Sequence, residues 1–157
     1  MKKQVKLYNV LFPVWLLWLF PQILVIVLPG NLLIDCLVLY CTLRVLKHTQ
    51  KKAVVKELMW KFWFRGFGAD LLGAAWLFCA MILMDMLGRA TDLYRPWSNP
   101  LAFLCTLSGV AVAGVCIYFS DKKAMEESDL LTDREKHTIA LTMATVTAPW
   151  LFFLPIY

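Results

Sequence analysis

Charge is scarce in this sequence. Asp, Glu, Lys and Arg make up 17% of its 157 residues, where a soluble domain carries about 25%. Histidine is rarer still. His48 and His137 stand alone, in no metal-ligand spacing, and read as solvated or as neighbours of lipid headgroups. The five cysteines, Cys36, Cys41, Cys79, Cys105 and Cys116, form no Cys-x-x-Cys, which argues against thiol–disulfide exchange and leaves soft core packing as their role. The seven glycines build no phosphate-binding loop, and neither a nucleophile elbow nor a zinc motif occurs. No catalytic constellation is present, and no cofactor or metal is implied. An enzyme has no positive support.

What fills the chain instead is apolar. Hydrophobic residues reach 61% and mean hydropathy is +0.65, against about 45–50% apolar in a soluble domain. The surplus falls in five blocks, residues 7–28, 31–46, 67–87, 100–119 and 138–156, with nearly all the charge between them. A helix rises about 1.5 Å per residue through a hydrocarbon core about 30 Å thick, so about 20 residues cross it. Four blocks meet that length and the second falls short.

Charge placement argues for keeping the second block as a span. With five spans, fourteen of the sixteen Lys and Arg fall on one side, in the N-terminal Lys2–Lys6, in the run from Arg44 to Arg65, and at Lys122, Lys123, Arg134 and Lys136. Only Arg89 and Arg95 lie opposite. The positive-inside rule then places the N-terminus in the cytoplasm and the C-terminus outside. The formal net charge of +5 follows from topology and requires no nucleic acid. The first block is longer than a signal-peptide core and lacks a small-x-small cleavage site, so it reads as a retained signal-anchor. The expectation is an all-α, polytopic protein of the plasma membrane, one transmembrane domain over residues 1–157, with about five transmembrane helices.

The segment His48–Arg65 is amphipathic. Val54, Val55, Leu58, Met59 and Phe62 recur at helical spacing, while Lys51, Lys52, Lys56, Lys61 and Arg65 take other faces. It reads either as an interfacial helix on an anionic inner leaflet or as an ordinary basic loop that is helical. Residues 120–137 hold six acids against four bases and read as a solvated turn, with Asp133-Arg134-Glu135-Lys136 starting the last helix.

Acids inside spans are the functional candidates, because each costs free energy in the bilayer. Asn31, Asp35 and Thr42 form a polar stripe on span two, beyond a Pro29-Gly30-Asn31 turn. Either they open a polar pocket outward or Asn31 and Asp35 cap a helix. Gln22 and Asp85 would join that pocket from neighbouring spans, with Asp85 facing Asp35 at the outer end, or Asp85 belongs with Arg89, Asp92 and Arg95 to a solvated loop. Asp70, near the inner end of span three, either pairs with Arg44 or sits as an acid at a helix start. An aspartyl-protease dyad is excluded twice over. Ala69 breaks the Gly-x-Gly-Asp spacing in Gly66-Phe67-Gly68-Ala69-Asp70, and Asp35 and Asp70 are expected more than about 10 Å apart in depth. The Thr138, Thr142, Thr145, Pro149 stripe of span five and the Gly109-xxx-Ala113 pair of span four read as packing faces or as the wall of a ligand cavity.

The stretches Leu7–Trp15, Leu28-Pro29-Gly30-Asn31 and Thr147–Phe152 resemble small integral membrane proteins of Gram-positive gut bacteria, over most of the chain. That resemblance implies a membrane location and no particular activity. Two functions fit the residues. One is a channel, carrier or binding protein for an ion or solute, homo-oligomeric, with its site at Asn31, Asp35, Gln22 and Asp85. The other is a non-catalytic accessory subunit of a larger membrane complex.

Overall fold

In a computed structural model of the chain, residues 21–89, 92–93 and 95–154 are described, residues 21–27 by their backbone alone. The first expected span lies mostly outside them. The described residues form four α-helices and a final 3-10 turn. These are α1 (Pro21–Val45), α2 (Lys51–Met86), α3 (Pro100–Ala124), α4 (Asp133–Val146) and the turn Trp150–Phe153. Three helices, in α1 the part Leu28–Val45 together with all of α2 and α3, are long and apolar enough to cross a membrane.

The local sequence explains where each helix stops. At the end of α1, His48 N–H donates to the Leu43 carbonyl at 3.0 Å and Lys47 N–H to that of Arg44 at 3.2 Å, with Lys47 at φ 56°. This is a Schellman closure with an unusual lysine in the left-handed position. The same closure ends α2, with Gly88 at φ 67° supplying that conformation without strain. Asn99 caps α3, its Oδ1 accepting from Ala102 N–H at 2.7 Å, and Pro100 occupies the first helical position. Thr132 and Glu135 form a capping box at the start of α4, where the acidic-basic run anticipated it.

Three boundaries differ from the sequence reading. The expected turn at Pro29-Gly30-Asn31 is helix, so α1 runs unbroken across it. Proline removes one backbone bond, but a turn in apolar surroundings would strand several, so the helix continues. Trp63 of α2 donates its indole N–H to the carbonyl of Leu28 beside this proline, at 3.0 Å.

The basic segment, expected as a separate helix over 48–65, is the first part of α2. This 36-residue helix is about 54 Å long at 1.5 Å per residue. Its buried positions, Val54, Leu58, Phe62, Ala69 and Gly73, lie along one stripe, so nothing marks a break at Gly66.

The last expected span also changes. Helix α4 has 14 residues and ends at Val146. Pro149 cannot donate to the Thr145 carbonyl, and the indole N–H of Trp150 takes that acceptor instead, at 2.9 Å. The chain then continues as the 3-10 turn. Trp97 Nε1 donates to the Phe153 carbonyl at 3.0 Å, and Phe103 and Phe153 lie 5.3 Å apart.

The main core sits toward the turns 46–50 and 125–132. It combines Leu39 and Leu43 of α1, Val54, Leu58 and Phe62 of α2, Ile117 of α3, Met125, and Ile139, Ala140 and Met143 of α4. Further along, α2 and α3 approach through small residues. A Cβ on Gly73 would lie 2.9 Å from Ala113 Cβ, and one on Gly109 would lie 2.6 Å from Leu77 Cγ.

Candidate functional site

The antiparallel pairing of α1 with the first part of α2 decides where the acids go. Asp35 of α1 lies against Gly66 of α2, where a Cβ would stand 3.8 Å from its Oδ2. Asp70 follows one helical turn after Gly66. On α3, Ser120 offers its backbone carbonyl to Arg65 Nη1, and the next residue is Asp121. The Asp35 carboxyl is within electrostatic reach of both Asp70 and Asp121, and Arg65 is within reach of Asp121. Three helices thus bring three carboxyls and one guanidinium around the Arg65–Gly66 turn.

Two atoms of this group are incompletely satisfied. Asp70 Oδ1 and Asp121 Oδ1 are buried and accept no hydrogen bond. Asp121 is 1% exposed, whereas Asp35, Arg65 and Asp70 are half-buried. A buried carboxylate oxygen without a partner is costly and calls for an explanation. Among the described residues no three His, Cys, Asp or Glu side chains are placed to hold a metal ion.

This arrangement corrects several expectations. Asp35 and Asp85 do not meet. Asp85 lies nineteen residues beyond Gly66 on α2, about 28 Å along the axis, and is exposed at the helix end. Asn31 and Asp35 do not cap a helix, because both sit inside α1; Asn31 is half-buried there. Gln22 lies in the first turn of α1, where only the backbone is described. No ion pair joins Asp70 to Arg44. Arg44 is exposed in the last turn of α1, several turns past Asp35. The depth separation of Asp35 and Asp70 also fails, since it rested on a turn at Pro29. The two carboxyls share no hydrogen bond, and Ala69 still breaks the protease spacing.

The basic residues divide. Arg65 turns inward onto α3 rather than toward headgroups. Lys61 Nζ lies 3.8 Å from Glu127 Oε2. Lys52 and Lys56 are exposed, and Lys51 and Lys52 line an open hollow of about 430 Å³ with Tyr40, Thr49, Gln50 and Ala53.

Other candidates dissolve into the backbone. Thr42, Thr138, Thr142 and Thr145 each donate to the carbonyl four residues back, so these hydroxyls are satisfied within their own helices. Of the two histidines expected in solvent or beside headgroups, His137 is exposed and His48 is half-buried, and both have partners. His48 Nδ1 pairs with Glu135 Oε1 at 3.0 Å, and His137 Nδ1 is hydrogen-bonded to Tyr118 Oη at 2.8 Å. The backbone N–H of Thr132 holds the Glu135 carboxyl below the usual range, and bonds from His48 and the Thr132 hydroxyl add to that.

Asp121 is the residue that sequence reasoning missed, because the fourth span was ended at Phe119. Its signal was nevertheless present. Ala102, Thr106, Gly109, Ala113, Ile117 and Asp121 follow one another at spacings of three and four, and all are buried. No protein-family model matches this chain, and neither the curated proteins nor the solved structures include a similar one.

Proposed function

We propose that this is a multi-pass protein of the plasma membrane that handles an ion or small solute at a polar site formed by Asp35, Arg65, Asp70 and Asp121. The observation that carries this reading is the pair of buried, unpartnered carboxylate oxygens on Asp70 and Asp121, on two different helices able to cross a membrane. Ionisable groups are retained at such depth where they serve a pathway or a ligand.

Charge distribution supports the topology. The Arg44–Arg65 basic run, Lys122, Lys123, Arg134 and Lys136 gather toward the ends of the helices joined by the turns 46–50 and 125–132, and Arg89 and Arg95 lie in the connection at the other end. By the positive-inside rule the first group faces the cytoplasm. Lys51 and Lys52, with Tyr40 beside them, suit the headgroups of an anionic inner leaflet.

The test is charge displacement by the purified protein in proteoliposomes on a solid-supported membrane, with separate jumps of NaCl, KCl and pH. A transient with at least one jump, reduced in Asp70→Asn and retained in Asp85→Asn, is expected. The reading is overturned if no jump displaces charge, or if Asp70→Asn behaves as the native protein does.

A further inference from the structure

We infer that the ion is a proton, taken up by the buried, unpartnered oxygens of Asp70 on α2 and Asp121 on α3, with Arg65 as the internal counter-cation. This rests on the functional reading above. Asp121 carries it furthest, being 1% exposed, with an unpartnered Oδ1, and within reach of both Asp35 and Arg65.

The charges around this group come from every packed element. Asp35 arrives from α1, with the Cys36 thiol next to it; Arg65 and Asp70 arrive from α2, and Asp121 from α3. Helix α4 turns only Ile139, Ala140 and Met143 inward, while its Glu135 and His137 engage His48 and Tyr118. Three carboxyls therefore gather with one guanidinium, which is anchored on the Ser120 carbonyl and is within reach of Asp121. Balancing the remaining charge requires a cation or protons.

The geometry favours protons. A hard metal cation takes about six or more oxygen ligands, and the described residues offer no cluster able to hold a metal ion. A proton needs one oxygen. Half-buried Asp35 and Asp70 supply points of entry, and Asp121 an interior acceptor. In each step one O–H bond forms on a carboxylate as a hydronium ion reverts to water. Release returns that proton to water from the same oxygen. Arg65 is a positioning residue here, setting the charge that Asp121 experiences.

The experiment loads proteoliposomes of the native protein with a pH-sensitive dye and imposes a potassium diffusion potential through valinomycin. Parallel arms without valinomycin follow radioactive sodium and rubidium down their own gradients. Proton flux without sodium or rubidium uptake is expected. It should fall to the level of empty liposomes in Asp121→Asn, with Asp35→Asn as a second variant should the first fail to fold. Arg65→Gln should move the pH of half-maximal flux toward alkaline by about one pH unit, since an attracting positive charge is removed. Sodium or rubidium flux without proton flux overturns the proton assignment and leaves ion handling standing. Absence of all three fluxes overturns both. An unchanged pH profile in a folded Arg65→Gln overturns the role given to the arginine.

Discussion

The two parts of α2 belong to one continuous helix but pack by different rules. From Lys51 to Arg65 the helix buries Val54, Leu58 and Phe62 among large partners, Leu39, Leu43, Ile117 and Met143, and turns Lys52 and Lys56 outward. From Gly66 to Met86 the buried positions shrink to Ala69 and Gly73, and the large residues face outward, with Leu72 at 56% and Leu83 at 54% exposure. The first arrangement gains from removing apolar area from water, at about 25 cal/mol per Å². The second gains nothing of that kind, because lipid is as apolar as leucine, and depends on close backbone approach. The acids gather where one regime gives way to the other, around Gly66.

That contrast can be broken by substitution. The largest effect is expected at Phe62, where Phe62→Ala should cost about 3–5 kcal/mol of unfolding free energy. Leu83→Ala, in the apolar part, should stay within about 0.5 kcal/mol. Denaturant titration in detergent measures both, and equal losses would erase the distinction between the two parts.

A smaller effect separates the two glycines of the small-residue seam. Gly73→Ala drives its new Cβ against Ala113 Cβ and the Gly109 carbonyl, which are fixed by a helix backbone, and should cost about 1–3 kcal/mol. Gly109→Ala meets first the Leu77 side chain, which can rotate away, and the helical preference of alanine offsets part of the strain. If Gly109→Ala proves the costlier, the seam is not held by backbone approach.

The smallest effect concerns the clasp at the basic end. Glu135 is held below the ordinary carboxylate range in the folded protein, so its contribution is present above the unfolded value and fades as pH falls through its own lower one. The melting temperature of the native protein should fall across acid pH more than that of Glu135→Gln. Thr132→Ala should lose about 1 kcal/mol at neutral pH by removing the cap. Parallel curves for the native and Glu135→Gln proteins would remove the clasp from the description.

Much of the helical plan was legible in the chain. The apolar blocks located α3 and the apolar part of α2, and the acidic-basic run at Asp133 located the start of α4. Pro29 and Pro149 show why boundaries were harder. Both prolines free a carbonyl, yet α1 runs on while α4 ends. At Pro149 the freed Thr145 carbonyl is taken by the Trp150 indole, whereas at Pro29 the helix simply continues past the one lost bond. A proline in a sequence announces a lost hydrogen bond but not who replaces it. Of the site, Asp35 and Asp70 were recognised as costly acids, but each was assigned a partner it does not have.

What the sequence by itself determined is the class of protein, through the excess of apolar residues in long blocks, since that is a property of composition and order. Only the tertiary structure decided that Asp35, Asp70 and Asp121 stand together. Their proximity depends on the register between α1 and α2, set by the Lys47 turn and by the burial of Leu39, Leu43, Val54, Leu58 and Phe62 on facing sides. Residues 35, 70 and 121 are far apart along the chain, and no local pattern records that three helices will close on them.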